Sequence, residues 1–368
     1  MGLARTHKLV LGFAHWGKEQ IPVEEMLRIV KHATQQGIDE IDCAPHYGNG
    51  AQENVLGVAL LMLPQSIRDK IKISTKVGRI MDPRQKSENN NGFTNSTNFK
   101  QEFNYSKSGI EDSFHDSQLR LQLSMVHALY LHDLDKETHG NNYEYHYYKF
   151  MADGYTALDS LKAQGKTVLV GIGSNDIDLC IQLIHDGRYR INRILLAGRY
   201  NLLDQSALET LFPLCKEKGI ELYLAAPYCS GILSEQVNNQ AYKYAEASSE
   251  IKDRVAKLRS ICDKHGVSLA HAAMQFVHLH PQASRVVVGA RTVEELDKSL
   301  QYARQLIKKE FWDELKQEKL IPEQTVTTSF MSDKSPTHSS ASQFSRQQNI
   351  IDFVSEDNYH QQSFTAKL

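Results

Sequence analysis

Cysteine is scarce in this sequence, and its spacing excludes two kinds of site. The chain of 368 residues has five cysteines, an odd number, and no two of them form a CxxC or CxxxC pair. This pattern excludes a disulfide framework and a cysteine-based zinc site. We therefore expect buried free thiols, as in proteins of the reducing cytoplasm, and no metal. The five are Cys43, Cys180, Cys215, Cys229 and Cys262.

Long apolar runs and an excess of charge of either sign are also lacking. No run approaches the roughly 20 apolar residues that a membrane-spanning helix needs, and the N-terminus lacks the apolar core of a signal peptide. The 42 basic residues nearly balance the 44 acidic ones, and they are scattered along the chain. We therefore expect a cytoplasmic protein with neither a membrane nor a nucleic acid as its partner.

The sequence does contain a regular alternation of short β-branched apolar runs and longer amphipathic stretches. Such alternation is typical of βα units and a parallel sheet. Eight strands, each followed by a helix, predict a (β/α)8 (TIM) barrel, an α/β fold. The predicted strands are residues 8–12, 38–44, 71–76, 125–132, 168–173, 193–198, 220–226 and 285–289. The predicted helices are residues 23–36, 52–63, 107–123, 143–164, 177–185, 205–218, 250–265, 268–278 and 293–303, with one more ending near residue 320.

Two segments do not follow this alternation. Residues 81–106 are polar, rich in Asn and Ser and without a hydrophobic period, so we predict an irregular loop of the kind that often forms a lid. Residues 322–368 are low in complexity, and we predict a disordered tail. Binding of a partner by one short apolar patch in this tail, residues 350–354, remains an open alternative. The predicted organisation is one barrel over residues 1–321, followed by that tail.

Ionisable side chains stand near the ends of three successive predicted strands. The second strand carries Asp42 near its end, followed by Tyr47, the third ends at Lys76, and the fourth ends at His132. In a (β/α)8 barrel the active site lies at the carboxyl ends of the strands. A lysine ammonium lowers the pKa of a neighbouring phenol, a carboxylate keeps that lysine charged, and a histidine orients a substrate oxygen. The four residues together predict acid–base chemistry at a C–O centre.

Eight motifs along the predicted barrel carry a family resemblance. They are "IDCAPHYGNGAQENVLGVAL", "ISTKVGR", "ALYLHDLD", "GIGSN", "LLAGRYNLLDQSALETLFPLCKEKGI", "AAPYCSGIL", "AAMQF" and "VVVGARTVEEL". In this order, over residues 8 to about 303, they resemble the aldo-keto reductase family. Several pieces, among them "APHYGNG", "NYSKSGIEDS" and "LHDLD", are similar to its subgroup of D-threo-aldose, L-fucose, L-galactose and pyridoxal dehydrogenases. Those enzymes oxidise the ring hydroxyl of a cyclic sugar or hemiacetal to a lactone.

The resemblance implies a catalytic tetrad of Asp42, Tyr47, Lys76 and His132. Tyr47 would be the acid–base, Lys76 would lower its pKa, and Asp42 would hold Lys76. His132 would orient the substrate oxygen. Trp16, which follows the first predicted strand, would line the substrate pocket with Tyr47 and His132.

The resemblance also implies a nicotinamide cofactor. Ser174 and Asn175 match the pair that binds the nicotinamide carboxamide, and the loop of residues 227–233 would surround the pyrophosphate. The family often has a Gln on the sixth strand and a stacking aromatic on the seventh, where this chain has Ala197 and Ala225. The implied cofactor residues are Gly12, Asp42, Ser174, Asn175, Pro227, Ser230, Gly231, Leu233, Gly289, Ala290, Arg291 and Glu295.

The choice between NAD and NADP depends on the residues after the eighth strand. Many family members carry there a Lys and an Arg that bind the 2′-phosphate of NADP, whereas this chain has Gly289 and Glu295. A carboxylate repels that phosphate and accepts a hydrogen bond from a ribose hydroxyl instead. Arg291 leaves one phosphate contact available. The sequence therefore favours NAD over NADP.

Two other functions remain open from the sequence. The first is an NADPH-dependent reductase of aldehydes or ketones, with the same tetrad and the reaction in the opposite direction. The second is a non-catalytic nicotinamide-binding module that regulates a partner, since the barrel of this family also serves as a channel-associated sensor. The presence of Tyr47, Lys76 and His132 together argues against the module, which needs none of them.

Overall fold

Eight parallel strands close into a barrel in the computed structural model of this chain. The structure describes residues 8–14, 22–87, 92–94, 96–235, 240–243 and 245–325. Trp16 and nearly all of the predicted tail lie outside the described residues. The closed parallel barrel confirms the fold class that the alternation predicted.

The barrel strands follow the order β1, β12, β9, β8, β7, β6, β3, β2, and β1 closes the ring by pairing with both β2 and β12. Two short antiparallel pairs, β4 with β5 and β10 with β11, lie outside the ring. The strands are β1 Leu9–Gly12, β2 Glu40–Asp42, β3 Lys72–Val77, β4 Arg79–Lys86, β5 Phe99–Phe103, β6 Val126–His132, β7 Thr167–Gly173, β8 Arg193–Ala197, β9 Glu221–Ala225, β10 Ala241–Tyr242, β11 Ala245–Glu246 and β12 Ala283–Gly289.

Amphipathic helices cover the outside of the barrel. The first shows why, since its apolar residues recur at helical spacing, and those on one face are buried, namely Met26, Ile29, Val30 and Ala33. The helices are α1 Val23–Gln35, α2 Ala51–Met62, α3 Gln65–Arg68, α4 Lys107–Leu121, α5 Lys136–His139, α6 Tyr143–Lys149, α7 Tyr155–Ala163, α8 Ile177–Asp186, α9 Leu211–Lys218, α10 Ser249–His265, α11 Leu269–His278, α12 Val293–Arg304 and α13 Lys309–Gln317.

The inside of the barrel holds a second, smaller core below the strand ends. An ion pair seals its amino-terminal side, with Nη1 of Arg193 2.6 Å from Oε1 of Glu40. Tyr223 donates to the other oxygen of Glu40 at 2.9 Å, and its ring lies under the guanidinium of Arg193. The opposite, carboxyl end of the barrel is therefore where polar side chains meet solvent and ligands. Apolar residues of this core are Val10, Ala128, Tyr130, Leu195, Tyr223 and Val287.

The polar segment at residues 81–106 is not an irregular loop, so that prediction was wrong. Its ends form the antiparallel pair β4–β5, in which Arg79 lies opposite Phe103 and Met81 opposite Gln101. Only the first residues of β4 are buried, and the rest of the strand is exposed. A ribbon with one partly covered end does not need an alternating apolar pattern, which explains why the sequence did not reveal it.

Two predicted helices have different limits in the structure. The helix expected at residues 143–164 is interrupted by the π-helical turn Phe150–Gly154 between α6 and α7. The helix expected from residue 205 begins only at Leu211. Within residues 205–210, the Asp204 side chain accepts from the backbone N–H of Ser206 at 3.0 Å, and the Arg199 carbonyl accepts from that of Ala207 at 3.3 Å, so local turns replace the first helical bonds.

The cysteines are buried, and none is joined to another, as the spacing predicted. Burial raises the pKa of the Cys43 thiol well above its ordinary value. Within the described ranges, no helix combines the length and the apolar character that crossing a membrane requires.

Candidate active site

Three neighbouring strands bring the predicted catalytic side chains together. The ring order places β2, β3 and β6 side by side, with Asp42 in register with Ser74 and Lys76 in register with Tyr130. Parallel strands of one barrel end on the same side, so Asp42, Lys76 and His132 meet at its carboxyl end. The side chains of Lys76 and Asp42 are only 2% and 4% exposed, so water contributes little to holding their charges.

Lys76 and Asp42 form a buried ion pair. The Nζ atom of Lys76 donates to Oδ2 of Asp42 and to the carbonyl of Cys43, both at 2.8 Å. Ser74 donates to the other oxygen of Asp42 at 2.9 Å. Burial alone would lower the pKa of Lys76, but the Asp42 carboxylate and the Tyr47 phenol outweigh it and raise that pKa. Lys76 is therefore a fixed positive charge.

Tyr47 begins a tight turn that directs its ring toward Lys76. The turn Tyr47–Gly50 contains three residues with positive φ, Gly48 at 61°, Asn49 at 51° and Gly50 at 88°. The Nζ atom of Lys76 lies 4.9 Å from the centre of the Tyr47 ring. Residues ahead of β5 hold this turn, since Thr97 donates from its hydroxyl to the Asn49 carbonyl at 2.6 Å. The phenol and the ammonium are thus close enough to interact strongly.

His132 completes the group from β6. Its ring centre lies 6.3 Å from that of Tyr47, with the two rings nearly perpendicular. Burial lowers the pKa of His132 well below its ordinary value. The Asp133 carboxylate raises this pKa, but the charges of Arg79 and Lys76 lower it further. The imidazole is therefore neutral at physiological pH. Its Nε2 lies 3.3 Å from Oδ2 of Asp133, whose negative charge favours the tautomer with hydrogen on Nε2.

Charged and polar residues that were not predicted as site residues lie beside His132. Nη2 of Arg79 donates to Asp133 at 2.7 Å, and Nη1 donates to the side-chain oxygen of Gln101 at 2.8 Å. The Gln101 amide then donates to Nδ1 of His46 at 2.9 Å. Burial would raise the pKa of the Asp133 carboxyl, but the charge and the hydrogen bond of Arg79 act against burial, and that pKa is lowered to about 2.

The strand-end rule would have found part of this group. Asp133 directly follows His132, and Arg79 stands three residues after Lys76, both within motifs quoted above. Gln101 had no such signal, because it reaches the site from the antiparallel pair β4–β5. We call Arg79, Asp133, Gln101 and His46 the polar wall.

Apart from Asp42 on β2, the predicted cofactor residues occupy the other arc of the ring, which we call the cofactor arc. They stand at the carboxyl ends of β1, β12, β9 and β7, opposite the arc of β6, β3 and β2. The two arcs meet at Gly173, the last residue of β7, since a Cβ there would lie 3.5 Å from Cε of Lys76. Ser174 and Asn175 directly follow Gly173 in the chain.

Both predicted carboxamide-binding residues are held in place. Ser174 donates to Asp135 at 3.1 Å, and Oδ1 of Asn175 accepts from the backbone N–H of Ala197 at 3.0 Å. Ala197 and Ala225, the small residues at the family's Gln and aromatic positions, are half-buried at the ends of β8 and β9. The Ser174 hydroxyl and the fixed Asn175 amide can bind a carboxamide, and the small side chains of Ala197 and Ala225 leave room for a flat ring. This set of residues therefore fits a nicotinamide.

The predicted pyrophosphate loop, residues 227–233, has an unusual backbone. Cys229, Ser230 and Gly231 all have positive φ, at 48°, 58° and 101°. The backbone N–H groups of Gly231 and Leu233 both donate to the carbonyl of Tyr228, at 2.9 and 3.2 Å. Those two groups are thus engaged within the loop.

At the ends of β1 and β12, Gly12 pairs in register with Gly289 and with Asp42. Ala290 is buried directly after β12. Arg291 and Glu295 form an ion pair, with Nε of Arg291 2.9 Å from Oε1 of Glu295. Glu295 also accepts from the backbone N–H of Arg291 at 2.8 Å. The one arginine predicted to be available to a phosphate is therefore engaged by a carboxylate.

A cleft of about 780 Å³ opens beside the tetrad rather than over it. Its lining includes Asp133, which belongs to the polar wall, and Asn175, which is one of the predicted cofactor residues. The predicted pocket residue Trp16 lies outside the described residues.

Comparison with known proteins decides the family. The model of the aldo/keto reductase family matches residues 8–319. The chain belongs to the aldo/keto reductase family. It is therefore an oxidoreductase of a family that uses NAD(P)H, and the predicted resemblance is confirmed.

Three similar relatives of this aldo/keto reductase are dehydrogenases. Pyridoxal 4-dehydrogenase of Microbacterium luteolum is 35% identical, over 85% of this chain and 94% of its own. D-threo-aldose 1-dehydrogenase of a Pseudomonas species is 32% identical, over 81% and 89%. L-galactose dehydrogenase of Arabidopsis thaliana is 25% identical, over 75% and 77%.

A solved structure, the holo form of an aldo-keto reductase of Bacillus halodurans, has the same fold. Its TM-score is 0.65 at 21% identity, with 88% of this chain and 94% of that one covered. This comparison supports the barrel architecture alone.

Proposed function

We propose that this aldo/keto reductase is an NAD-linked dehydrogenase that oxidises the anomeric hydroxyl of an aldose, or of a pyridoxal-like hemiacetal, to a lactone. The observation that carries this proposal is the juxtaposition at Lys76. Its ammonium contacts Asp42 at 2.8 Å, faces the Tyr47 ring at 4.9 Å and lies against Gly173, next to Ser174. An acid–base group and a nicotinamide site thus share one lysine.

The proposed mechanism assigns one task to each side chain of the tetrad. Lys76, held by Asp42, stabilises the phenolate of Tyr47, which takes the proton of the substrate hydroxyl. His132, neutral and with hydrogen on Nε2, donates this hydrogen to that same oxygen in place of Asp133 and orients it. A nicotinamide, when bound, supplies the hydride acceptor for the carbon that carries the hydroxyl. The loss of a proton and a hydride converts the hemiacetal carbon into a lactone carbonyl.

The polar wall supports a hydroxylated substrate. Arg79 and Asp133 present a guanidinium and a carboxylate next to His132, and both groups bind sugar hydroxyls well. A simple apolar aldehyde would leave these groups without new partners. The names of the relatives, which include aldose and pyridoxal dehydrogenases, point to the same substrate class.

The cofactor is proposed to lie along the arc from β7 to β1. Ser174 and Asn175 would hold its carboxamide, and the Arg291–Glu295 pair supports NAD, because a 2′-phosphate would have to displace a bound carboxylate. The barrel that carries this activity is proposed to span residues 1–321. The remaining proposed contacts are Gly12, Asp42, Pro227, Ser230, Gly231, Leu233, Gly289 and Ala290.

The test is the absorbance of reduced nicotinamide with purified protein, NAD or NADP, and a panel of L-fucose, D-arabinose, L-galactose and pyridoxal. We expect the absorbance to rise with NAD and at least one of these substrates. Oxidation of NADPH by simple aldehydes, with no rise in the panel, would favour the reductase instead. Cofactor binding without turnover in either direction would favour the regulatory module.

Tyr47→Phe is the matched variant for this assay. It removes one hydroxyl and keeps the ring, so cofactor binding by calorimetry is expected to be unchanged. Turnover is expected to fall by about 100-fold or more, because general acid–base catalysis contributes that much. A variant with near-normal kcat would show that the acid–base is a different group.

A further inference from the structure

Tyr105, which follows β5, is fully buried behind the tetrad. Its hydroxyl donates to the backbone carbonyl of His132 at 2.8 Å, and the Asp133 carbonyl lies 3.3 Å away. Nε2 of His139 lies 3.0 Å from the same oxygen. Tyr105 therefore contacts the backbone of the residue that orients the substrate, without touching the substrate pocket itself.

Two glycines make room for this side chain. A Cβ on Gly78 would lie 2.3 Å from the ring of Tyr105, and Gly78 has a φ of +107°. A Cβ on Gly154, in the π-helical turn, would lie 2.0 Å from the Tyr105 carbonyl oxygen. Both distances are too short for any other residue, so the backbone is built around Tyr105. Gly78 stands two residues after Lys76, which ties Tyr105 to the lysine strand as well.

The backbone that Tyr105 holds is strained. Asp133 has a φ of +45°, a left-handed conformation that residues other than glycine, Asn and Asp seldom adopt and that is less favourable than the right-handed one even for Asp. Such a residue persists only when its surroundings fix it. Its N–H donates to the Gly173 carbonyl at 3.0 Å, and its carboxylate accepts from Arg79 at 2.7 Å. The third restraint is the Tyr105 hydroxyl, which contacts the carbonyls of His132 and Asp133.

We propose that Tyr105 is a positioning residue, whose hydroxyl fixes the turn at His132 and Asp133 and thereby aims the His132 imidazole at the substrate oxygen. This inference rests on the proposed function only for the role of His132. The restraint itself is a property of the fold and can be measured without turnover.

His139 determines the direction of this hydrogen-bonded chain. Burial, with the charges of His146 and Arg79, lowers the pKa of His139 to about 4, so its ring is neutral at physiological pH. The Tyr105 hydroxyl donates its only hydrogen to the His132 carbonyl, so it must accept from Nε2 of His139. The chain therefore runs from His139 through Tyr105 to the turn.

The first experiment compares Tyr105→Phe with Tyr189→Phe. Tyr189 is also buried, and within the described part of the chain its hydroxyl has no hydrogen-bond partner, so its loss controls for removal of a buried phenol oxygen. Tyr105→Phe is expected to lower kcat by about 10- to 100-fold, as small misplacements of catalytic groups do, with the calorimetric Kd of NAD unchanged. Tyr189→Phe is expected to match the wild type in both quantities.

The second experiment follows the His132 ring by NMR in protein labelled at histidine Cε1, with the signal assigned from His132→Gln. The His132 signal is expected to shift or broaden in Tyr105→Phe and to stay in place in Tyr189→Phe. This readout decides the inference even if no substrate in the panel is turned over, an outcome that would contradict the proposed function alone. An unchanged His132 signal and unchanged kcat in Tyr105→Phe would overturn the inference.

A pair of His139 variants repeats the test from the other end of the chain. His139→Gln keeps an N–H donor near the Nε2 position, whereas His139→Leu removes it. We expect the leucine variant to resemble Tyr105→Phe and the glutamine variant to retain most of the kcat. Equal loss in both variants would show that packing, and not the hydrogen bond, matters here.

Discussion

Lys76 shows how a single residue sets the chemistry of this site. The Lys76 side chain is only 2% exposed, so its ammonium has lost its hydration, which costs several kcal/mol unless other groups replace the water. Asp42, the Cys43 carbonyl and the Tyr47 ring replace it here. The positive charge is therefore in place before any ligand arrives, and it costs no reorganisation during a reaction.

Glu295 is the residue on which cofactor choice is expected to depend. Glu295→Gln removes the carboxylate that engages Arg291 and repels a 2′-phosphate. The ratio of kcat/KM for NAD to that for NADP is expected to fall by about tenfold, equivalent to about 1.4 kcal/mol. Steady-state kinetics with both cofactors measure this ratio.

The control for that variant is Glu294→Gln, which makes the same charge change at an exposed neighbouring position. It is expected to leave the ratio within about twofold of the wild type. If Glu295→Gln also left the ratio within about twofold of the wild type, the choice between NAD and NADP would depend on other cofactor-binding residues.

At the scale of elements, Glu53 joins α2, β3 and α4 behind the tetrad. Its side chain, fully buried, accepts from Thr75 at 2.6 Å and from Nε of Arg120 at 2.7 Å, with Ser117 at 3.3 Å. Thr75 directly precedes Lys76 on β3. These bonds thus fix the register between the helices and the strand that carries the lysine.

Glu53→Ala is expected to lower the free energy of unfolding by about 3 kcal/mol, because it leaves the guanidinium of Arg120, whose side chain is 13% exposed, and the Thr75 hydroxyl without their carboxylate. Urea unfolding followed by circular dichroism measures this loss. Glu246→Ala, which removes an exposed partner of Lys252, is the control and is expected to have no measurable effect. A loss for Glu53→Ala no larger than for the control would mean that the buried pair contributes nothing to stability.

At the scale of the whole molecule, buried neutral histidines make stability depend on pH. Burial lowers the pKa of His46, His127, His139 and His280 to about 4 in the folded protein. In the unfolded chain the same side chains titrate at about 6.5. Between these values the unfolded chain binds more protons than the folded one, so stability decreases as the pH falls.

The melting temperature is therefore expected to be about 5–10 °C lower at pH 5 than at pH 7, measured by differential scanning calorimetry. His280 is a useful probe because it lies between Tyr200 and Phe212, away from the tetrad. His280→Asn keeps an acceptor for the Gln282 N–H and removes the titrating ring, so it is expected to reduce the difference. Equal melting temperatures at both pH values would mean that these rings protonate as readily in the fold as in the unfolded chain.

Much of the architecture was predictable because it depends on local pattern. The alternation of apolar runs and amphipathic stretches predicted every strand of the barrel to within about three residues at either end. The pair β4–β5 was missed because little of it is buried, and the start of α9 was misplaced because the Asp204 side chain and the Arg199 carbonyl accept from the backbone N–H groups of Ser206 and Ala207. Propensity and period carry no information about such tertiary and side-chain contacts.

The sequence by itself determined which residues would meet, since parallel strands joined by helices must all end on one side of the barrel. Asp42, Lys76 and His132 at three such ends were bound to approach one another, whatever the details of packing. Only the tertiary structure decided how they are supported. The positive φ of Asp133, the Tyr105 hydroxyl on the His132 carbonyl, and the engagement of Arg291 by Glu295 depend on the backbone angles and distances of the folded chain. A one-dimensional pattern specifies period and order, and these contacts follow from neither.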